Sequence, residues 1–199
     1  LHEWTDHGQA AGKPGKPQID KRQVDELAAM RFLGNGENVV FLGPPGVGKT
    51  HLASALGPVA AKHRFSTYCV NCHRLIGQLK KARLENRLPD RLKILSKYRM
   101  LIIDEIGYPP MGIQGASLFF RLIARRYEKT STAFASNRTF SQWNEAFADV
   151  AIASAILDRV LHHCAVANVK GESCRLKERK GFMRKKQQIV NTLFEQGNA

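Results

Sequence analysis

The chain has 199 residues and is poor in two things, long apolar runs and acidic side chains. No apolar run approaches the about 20 residues of a membrane-spanning helix, and nothing in the sequence resembles a signal peptide. We therefore expect a cytoplasmic protein with no membrane partner. Lys and Arg number 31 against 17 Asp and Glu, which gives a formal net charge of +14. This surplus favours a polyanionic partner, with nucleic acid first.

Cysteine is also scarce, with four residues in the chain. Cys69 and Cys72 form a single C-x-x-C beside His73, whereas Cys164 and Cys174 lie far downstream. A structural zinc site of this type usually shows two such pairs. We therefore interpret Cys69 as part of a buried strand in which cysteine acts as a small hydrophobe. Metal or redox use of the pair is the alternative.

The most informative motif that is present is a phosphate-binding loop. Residues 43–50 fit the pattern G-x-x-x-x-G-K-[ST]. An apolar, β-branched stretch at 38–42 predicts a buried strand before the loop, and a helical pattern starts at His51. The glycines allow successive backbone N–H groups to point at an anion. We expect the nucleotide to contact Gly43, Pro44, Pro45, Gly46, Val47, Gly48, Lys49, Thr50 and His51.

Two acids at the end of another apolar strand complete this predicted site. Met100–Ile103 precede Asp104 and Glu105, which is the Walker B pattern of P-loop NTPases. In such proteins the Asp at this strand end holds Mg²⁺ together with the P-loop hydroxyl, here Thr50. Lys49 supplies charge to the β- and γ-phosphates, and Glu105 is placed to polarise the attacking water. Two solvated acids at a strand end are the alternative.

A polar residue, Asn137, follows a further predicted strand at 132–136. Its amide could reach the γ-phosphate side of the cleft and help to position the lytic water, and a plain turn residue is the alternative. Selection of guanine normally needs an N-K-x-D element after a strand, and the sequence contains none. ATP is therefore favoured over GTP, and we predict an ATPase that produces ADP and phosphate.

Hydrophobic periodicity predicts strands that alternate with helices. The predicted strands lie at 38–42, 66–70, 100–103, 132–136 and 165–169. The predicted helices lie at 20–34, 51–62, 73–97 with an interruption near Pro89, 114–128 and 151–163. This order is typical of an α/β fold, a P-loop NTPase with a mainly parallel sheet between helices. We divide the chain into a flexible lead-in at 1–18, an ATPase domain at 19–182 and a basic, polar tail at 183–199.

Two stretches carry most of the surplus positive charge. The basic stretch, between the second predicted strand and Walker B, contains Arg74, Lys80, Lys81, Arg83, Arg87, Arg91, Lys93, Lys97 and Arg99. The C-terminal cluster contains Lys170, Arg175, Lys177, Arg179, Lys180, Arg184, Lys185 and Lys186. Few aromatic residues are interleaved, so sequence-neutral phosphate contact with double-stranded DNA is favoured over base stacking. A solvated helix face is the ordinary alternative.

Taken in order, these motifs resemble the AAA+ ATPases of the IstB-like group, the helper ATPases of bacterial insertion sequences. The group is similar to helicase loaders and replication initiators. The resemblance covers about residues 18–182. It rests on the Walker A region at 36–53, Walker B at 101–108, the sensor-1 stretch at 136–143, and the C-terminal stretches at 155–163 and 170–177.

The resemblance implies roles for individual residues. Glu105 would be the catalytic acid, and Asn137 would be sensor 1. Arg159 stands where this branch has an arginine finger, which is donated to the ATP of the neighbouring subunit. Arg175 would be a sensor-2-like contact to the ATP of its own subunit, and Ile19–Arg22 would flank the adenine pocket. The alternative for both arginines is a structural role, such as capping or ion pairing on their own helices.

The resemblance also implies a function, an ATP-dependent, DNA-binding helper of transposition. Such a helper assembles as a homo-oligomer on target DNA, holds ATP at its subunit interfaces, and recruits or stimulates a transposase. A helicase loader of the same branch is one alternative, and a nucleotide-binding module that does not hydrolyse ATP is another. The chain departs from the group in two places. Only residues 1–18 precede the ATPase domain, and Cys174 stands where an aromatic residue is common.

Overall fold

The computed structural model of the protein describes residues 19–171 and Ser173. In this part of the chain there are five strands: β1 Asn38–Leu42, β2 Thr67–Asn71, β3 Met100–Asp104, β4 Ser131–Ser136 and β5 Cys164–Asn168. The helices are α1 Lys21–Ala28, α2 Arg31–Asn35, α3 Lys49–Lys62, α4 Cys72–Leu84, α5 Leu88–Lys97, α6 Gly112–Arg126, α7 Phe140–Phe147 and α8 Val150–Leu161. Within residues 19–171 and 173, no helix is long and apolar enough to cross a membrane.

The strands form one sheet in the order β2-β3-β4-β1-β5, and every pair is parallel. The carboxyl ends of the strands therefore meet at one edge, where the loops after β1, β3 and β4 lie side by side. In open parallel sheets this edge is where ligands bind. The predicted α/β fold with a parallel sheet between helices is confirmed.

Alternation along the strands divides the core into two layers, because successive side chains point to opposite faces of a sheet. Val39 packs in the layer formed with α1, α2 and α3, whereas its neighbour Val40 packs in the layer formed with α4 to α8. Ile102 and Ile103 divide between the two layers in the same way. Since both faces are covered, the strands read as continuous apolar runs, as expected for a buried parallel sheet.

The helix predicted over residues 20–34 is two helices. Its predicted start is confirmed, because the Asp20 side chain accepts a hydrogen bond from the Arg22 backbone N–H at 2.9 Å. The chain then breaks at Met30, which adopts a left-handed conformation with φ 57°. Met30 is only 3% exposed, and burial of its side chain offsets the about 1–2 kcal/mol that this conformation costs. The second helix ends at Asn35, and its C-cap residue is Gly36 and not Gly34.

Two further sequence predictions concern helices, and one of them needs correction. The predicted interruption near Pro89 is confirmed: the break falls at 85–87, and Pro89 lies in the first turn of α5, where proline is well tolerated. Helix α7 is absent from the prediction. The sequence feature that could have predicted this helix is a capping box at its start, in which the Thr139 and Gln142 side chains each accept a hydrogen bond from the backbone N–H of the other residue.

Candidate nucleotide-binding site

The phosphate-binding loop connects β1 to α3 and is crossed closely by the chain that follows β5. A Cβ atom on Gly43 would lie 2.1 Å from the Val169 carbonyl oxygen, so no side chain fits there. Gly46 has φ 80°, and a Cβ atom on it would lie 2.2 Å from Ser173 Oγ. Glycine is therefore required at both positions for steric reasons, and Ser173 lies directly against the loop.

Helix α3 begins at Lys49, immediately after the loop. Its N-cap residue is Gly48, and no side chain caps the helix, which is the kind of helix start at which anions bind. Lys49 is 7% exposed, and its Nζ donates a hydrogen bond to the Pro44 carbonyl oxygen at 2.6 Å. The ammonium group is thus held across the loop that is predicted to bind phosphates.

The two predicted Mg²⁺ ligands lie next to each other. Thr50 Oγ1 donates a hydrogen bond to Asp104 Oδ1 at 3.1 Å, which joins the start of α3 to the end of β3. A hydroxyl and a carboxylate are oxygen ligands of the kind that Mg²⁺ prefers. The donor set therefore fits the ion that the sequence implies.

Glu105 has a left-handed backbone with φ 57°, and its N–H donates to Asp104 Oδ1 at 2.9 Å. Its carboxylate accepts a hydrogen bond from the Asn71 side-chain amide. Asn71 is the last residue of β2 and also the N-cap of α4, because its Oδ1 accepts from the His73 N–H at 2.9 Å. Sequence reasoning missed Asn71. The available signal was a polar residue at a strand end, since Asn71 lies opposite Asp104 in the parallel register.

The predicted sensor Asn137 is exposed and follows β4, the strand that lies between β1 and β3. The residue before it, Ser136, is 1% exposed and joins three segments. Its Oγ lies 3.0 Å from the Ile106 carbonyl oxygen, after Walker B, and accepts hydrogen bonds from Arg138 N and Trp143 Nε1. Ser136 therefore fixes the loop after Glu105 relative to Asn137, a role that the sequence alone did not indicate.

Arg159, the predicted arginine finger, lies on α8 and is half-buried. Its Nη1 donates to the Ala155 carbonyl oxygen at 2.8 Å, and its guanidinium lies 5.0 Å from the Phe120 ring centroid and 6.0 Å from that of Tyr127. Because α8 leads back to the start of β5, Arg159 lies near the amino ends of the strands, opposite the edge that carries the phosphate-binding loop. Arg175 lies outside the described residues.

The predicted adenine-flanking segment contributes one residue to a cavity. Ile19 lines an apolar cavity of about 210 Å³ between α1 and α3, together with Leu52 at the start of α3. Asp20 caps α1, and Lys21 and Arg22 belong to the first turn of that helix. Leu52 lies in the first turn of α3, so this cavity is lined in part by the helix that follows the phosphate-binding loop.

The cysteines are arranged partly as predicted. Cys72 is buried at the start of α4, and burial raises the pKa of its thiol to about 12. Cys69 is exposed, contrary to the prediction of a buried strand, because β2 lies at the edge of the sheet. Among the described residues, neither Cys69 nor Cys72 belongs to a group of three His, Cys, Asp or Glu side chains whose ligand atoms lie close enough to hold a metal ion. Cys174 lies outside the described residues.

The basic stretch folds as a helical hairpin of α4 and α5, and its charges fall into two groups. Arg91 and Arg99 have structural partners: Arg91 Nη2 donates to Gln78 Oε1 at 2.6 Å, and Arg99 Nη2 donates to the Leu33 carbonyl oxygen at 2.9 Å. Arg87 pairs with Glu85. Lys81 Nζ also lies 4.0 Å from Glu85 Oε1. The exposed basic side chains of the stretch, Arg87 included, are Arg74, Lys80, Lys81, Arg83, Arg87, Lys93 and Lys97. Arg99 therefore supports the fold and does not belong to the exposed basic surface.

Comparison with known proteins agrees with this geometry. Residues 14–181 match the family of IstB-like ATP binding proteins. The chain belongs to this family. A protein named for ATP binding in insertion sequence IS232 of Bacillus thuringiensis subsp. berliner is 53% identical over 163 residues, which cover 82% of this chain and 65% of that protein. A counterpart in IS21 of Pseudomonas aeruginosa is 53% identical over 165 residues, which cover 83% of this chain and 62% of that protein.

The IstB-like chain thus spans slightly less than two thirds of the length of these two relatives. Among solved structures, the DnaC helicase loader superposes with a TM-score of 0.67 at 21% identity, covering 85% of this chain and 100% of that chain. AMPPCP-bound DnaA from Aquifex aeolicus gives a TM-score of 0.62 at 17% identity, covering 89% of this chain and 53% of that chain. These likenesses show the same fold, so the predicted fold class is confirmed. The family match and the two relatives confirm the predicted family.

Proposed function

We propose that this IstB-like chain is an ATPase that assembles on double-stranded DNA when ATP is bound and recruits or stimulates a transposase. The observation that carries the proposal is the convergence of Lys49, Thr50, Asp104 and Glu105 at one edge of the sheet. The transposition context is supported by two insertion-sequence relatives that are 53% identical to the chain. The helicase-loader alternative has only a likeness of fold at 21% identity in its favour.

Binding of ATP would use the uncapped start of α3 and the Lys49 ammonium. A phosphate oxygen would replace the Pro44 carbonyl as the acceptor of the Lys49 hydrogen bond, a charge-assisted contact that is stronger than the one it displaces. Thr50 and Asp104 would hold Mg²⁺, which neutralises phosphate charge when it is bound. The similar DnaA from Aquifex aeolicus is bound to AMPPCP, which is consistent with a triphosphate at the same place in this fold.

Hydrolysis needs a group that orients water and takes its proton, and Glu105 is the candidate. In the structure its carboxylate is occupied by the Asn71 amide. The Asn71 amide occupies one carboxylate oxygen, and we propose that it turns the Glu105 carboxylate away from the γ-phosphate, so that release of this hydrogen bond lets Glu105 accept a proton from water there. Asn71 would therefore restrain hydrolysis until the site is assembled, and Asn137, at the end of the intervening strand, would contact the γ-phosphate side.

We expect Asn71→Ser to raise ATP turnover without DNA by about 10–100-fold, because a hydrogen bond to a charged group contributes about 1.5–3 kcal/mol and each 1.4 kcal/mol is a factor of ten. Serine is a good N-cap, so the variant keeps the cap of α4 and loses only the amide that holds Glu105. The measurement is steady-state phosphate release at saturating ATP. Turnover below that of the parent would show that Asn71 orients Glu105 for catalysis and does not restrain it.

Arg159 is proposed to act on the ATP of a neighbouring subunit. Its position near the amino ends of the strands separates it from the phosphate-binding loop of its own chain, so an action in trans fits better than one in cis. The guanidinium would have to leave Phe120 and Tyr127. Arg175 is proposed as a contact to ATP within the same subunit.

Mixing two inactive variants tests the action in trans. In a mixture of Glu105→Gln and Arg159→Ala chains, some interfaces combine an intact Glu105 with an intact Arg159. We expect phosphate release to recover to a fraction of the parent rate that depends on the mixing ratio. Mixtures that stay inactive at every ratio, while ATP binding and assembly persist, would exclude this role of Arg159.

DNA contact is proposed for the exposed side chains of the basic hairpin. Replacement of Lys80, Lys81 and Arg83 by Glu should weaken binding equally on unrelated duplexes and leave DNA-free ATP turnover unchanged. For the parent, log K should fall with log[salt] by about 0.9 per phosphate neutralised. Filter binding at several salt concentrations measures both effects.

A matched control is available on α6 and the turn after it, where Arg121, Arg125 and Lys129 are also exposed. Changing these three residues to Glu alters the net charge by the same amount and should weaken binding much less. If the two triple variants lost DNA affinity equally, the loss would follow from the change in net charge, and the hairpin would have no specific role in DNA binding.

Phosphate release with and without duplex DNA tests the proposed activity as a whole. We expect measurable turnover that depends on Mg²⁺ and rises when DNA is added. A chain that binds ATP without releasing phosphate under any of these conditions would instead be the non-hydrolysing module.

A further inference from the structure

Three exposed side chains with metal-binding atoms meet on the face opposite the nucleotide site. Glu128 lies just after α6, and His162 and His163 lie just after α8. Glu128 Oε1 is 3.4 Å from His162 Nδ1 and 3.7 Å from His163 Nε2, and all three ligand atoms lie within 4.8 Å of one another. About half of each side chain is exposed: 51%, 50% and 55%, respectively.

The fold holds both ligand-bearing segments in place. Before Glu128, the buried Arg126 donates from Nη1 to the Leu95 carbonyl oxygen at 2.8 Å and from Nη2 to the Ser131 carbonyl oxygen at 2.5 Å. At the second segment, the His163 carbonyl oxygen accepts from the Asn38 backbone N–H at 2.8 Å, which ties it to the start of β1. The cluster therefore joins two anchored turns and does not depend on a single loose loop.

We propose that Glu128, His162 and His163 form a binding site for a divalent transition-metal ion, with Zn²⁺ as the ion that fits best. Zn²⁺ binds imidazole nitrogen and carboxylate oxygen at about 2.0–2.2 Å, so tetrahedral geometry places ligand atoms about 3.3–3.6 Å apart. The observed separations of 3.4 and 3.7 Å are close to this range. Two imidazoles disfavour Mg²⁺ and Ca²⁺, which prefer oxygen ligands.

Tyr127 provides a diagnostic feature of the site. Its hydroxyl shares a hydrogen bond of 2.8 Å with His162 Nδ1, the same atom that faces Glu128. The ion and the hydroxyl cannot both occupy Nδ1, so metal binding has to break this hydrogen bond. Tyr127→Phe removes the competing hydroxyl and keeps the ring, and it should bind the metal at least as tightly as the parent.

Competition between the full chain and a chromophoric chelator for Zn²⁺ measures the affinity directly. We expect micromolar binding by the parent and a loss of at least about tenfold in each of Glu128→Gln, His162→Gln and His163→Gln, because even outer-shell partners of a metal contribute 10–100-fold. His73→Gln and Cys69→Ser are the controls, since both residues are exposed and lie outside the cluster. Both controls should bind as the parent does.

The proposal is overturned if the three cluster variants bind Zn²⁺ as tightly as the parent, or if Cys69→Ser alone removes binding. Melting temperatures without metal check that the exposed substitutions leave the fold intact. If a cluster variant does not fold, the imidazole NMR signals of the parent protein, recorded with and without Zn²⁺, show which histidines bind the ion. Zn²⁺ should shift the signals of His162 and His163 and leave that of His73 in place, and the reverse pattern would exclude the site.

Discussion

Glu105→Gln is expected to lower ATP turnover by about 10²–10⁴-fold, the range for loss of a general base, while ATP affinity stays within a few-fold of the parent. The amide is nearly isosteric with the carboxylate but cannot accept the proton of the attacking water. The Thr50–Asp104 pair and the Lys49 contact are untouched by this change. Turnover is measured by phosphate release, and affinity by titration of a fluorescent ATP analogue.

The control for this variant is Glu26→Gln, because Glu26 is an exposed acid on α1. It should turn over ATP at the parent rate. If Glu105→Gln turned over ATP at the parent rate, Glu105 would not be the general base, and that role would have no assigned residue.

Lys49→Ala is expected to weaken ATP binding by about 10–100-fold, because a charge-assisted hydrogen bond contributes about 1.5–3 kcal/mol and each 1.4 kcal/mol is a factor of ten. The substitution removes the hydrogen bond to the Pro44 carbonyl oxygen, but the apolar packing of β1 and α3 stays. We therefore expect a folded protein with little bound nucleotide. Titration of the same ATP analogue, together with a melting curve, measures both properties.

Lys129→Ala serves as the control, since Lys129 is exposed after α6, far from the phosphate-binding loop. It should bind ATP like the parent. Unchanged ATP affinity in a folded Lys49→Ala protein would mean that the nucleotide binds somewhere else.

The sequence correctly predicted where the short local motifs of the site lie in the fold. The phosphate-binding loop and the Walker B acids are short motifs at the ends of apolar strands. The topology of a parallel sheet brings such ends to one edge. That Thr50 lies 3.1 Å from Asp104 is a consequence of this topology. The catalytic, nucleotide and metal roles of these residues stay predictions until they are measured.

The contacts between strands could not be predicted in the same way. The hydrogen bond from Asn71 to Glu105 depends on β2 being the neighbour of β3 and on its register. The exposure of Cys69 likewise depends on β2 being an edge strand. The break at Met30 is set by the packing of its side chain, since methionine has no local preference for a left-handed backbone. Strand order and packing are tertiary properties, so motifs and periodicity did not reveal them.

The mass of the complexes formed on a single DNA duplex tests ATP-dependent assembly most directly. With ATP and Mg²⁺, we expect several chains on each duplex, added in steps of one chain mass, and a larger assembly for Glu105→Gln because it retains ATP. With ADP, or for Lys49→Ala, the duplex should carry few chains. The same mass distribution with ATP, with ADP and for Lys49→Ala would contradict ATP-dependent assembly on DNA.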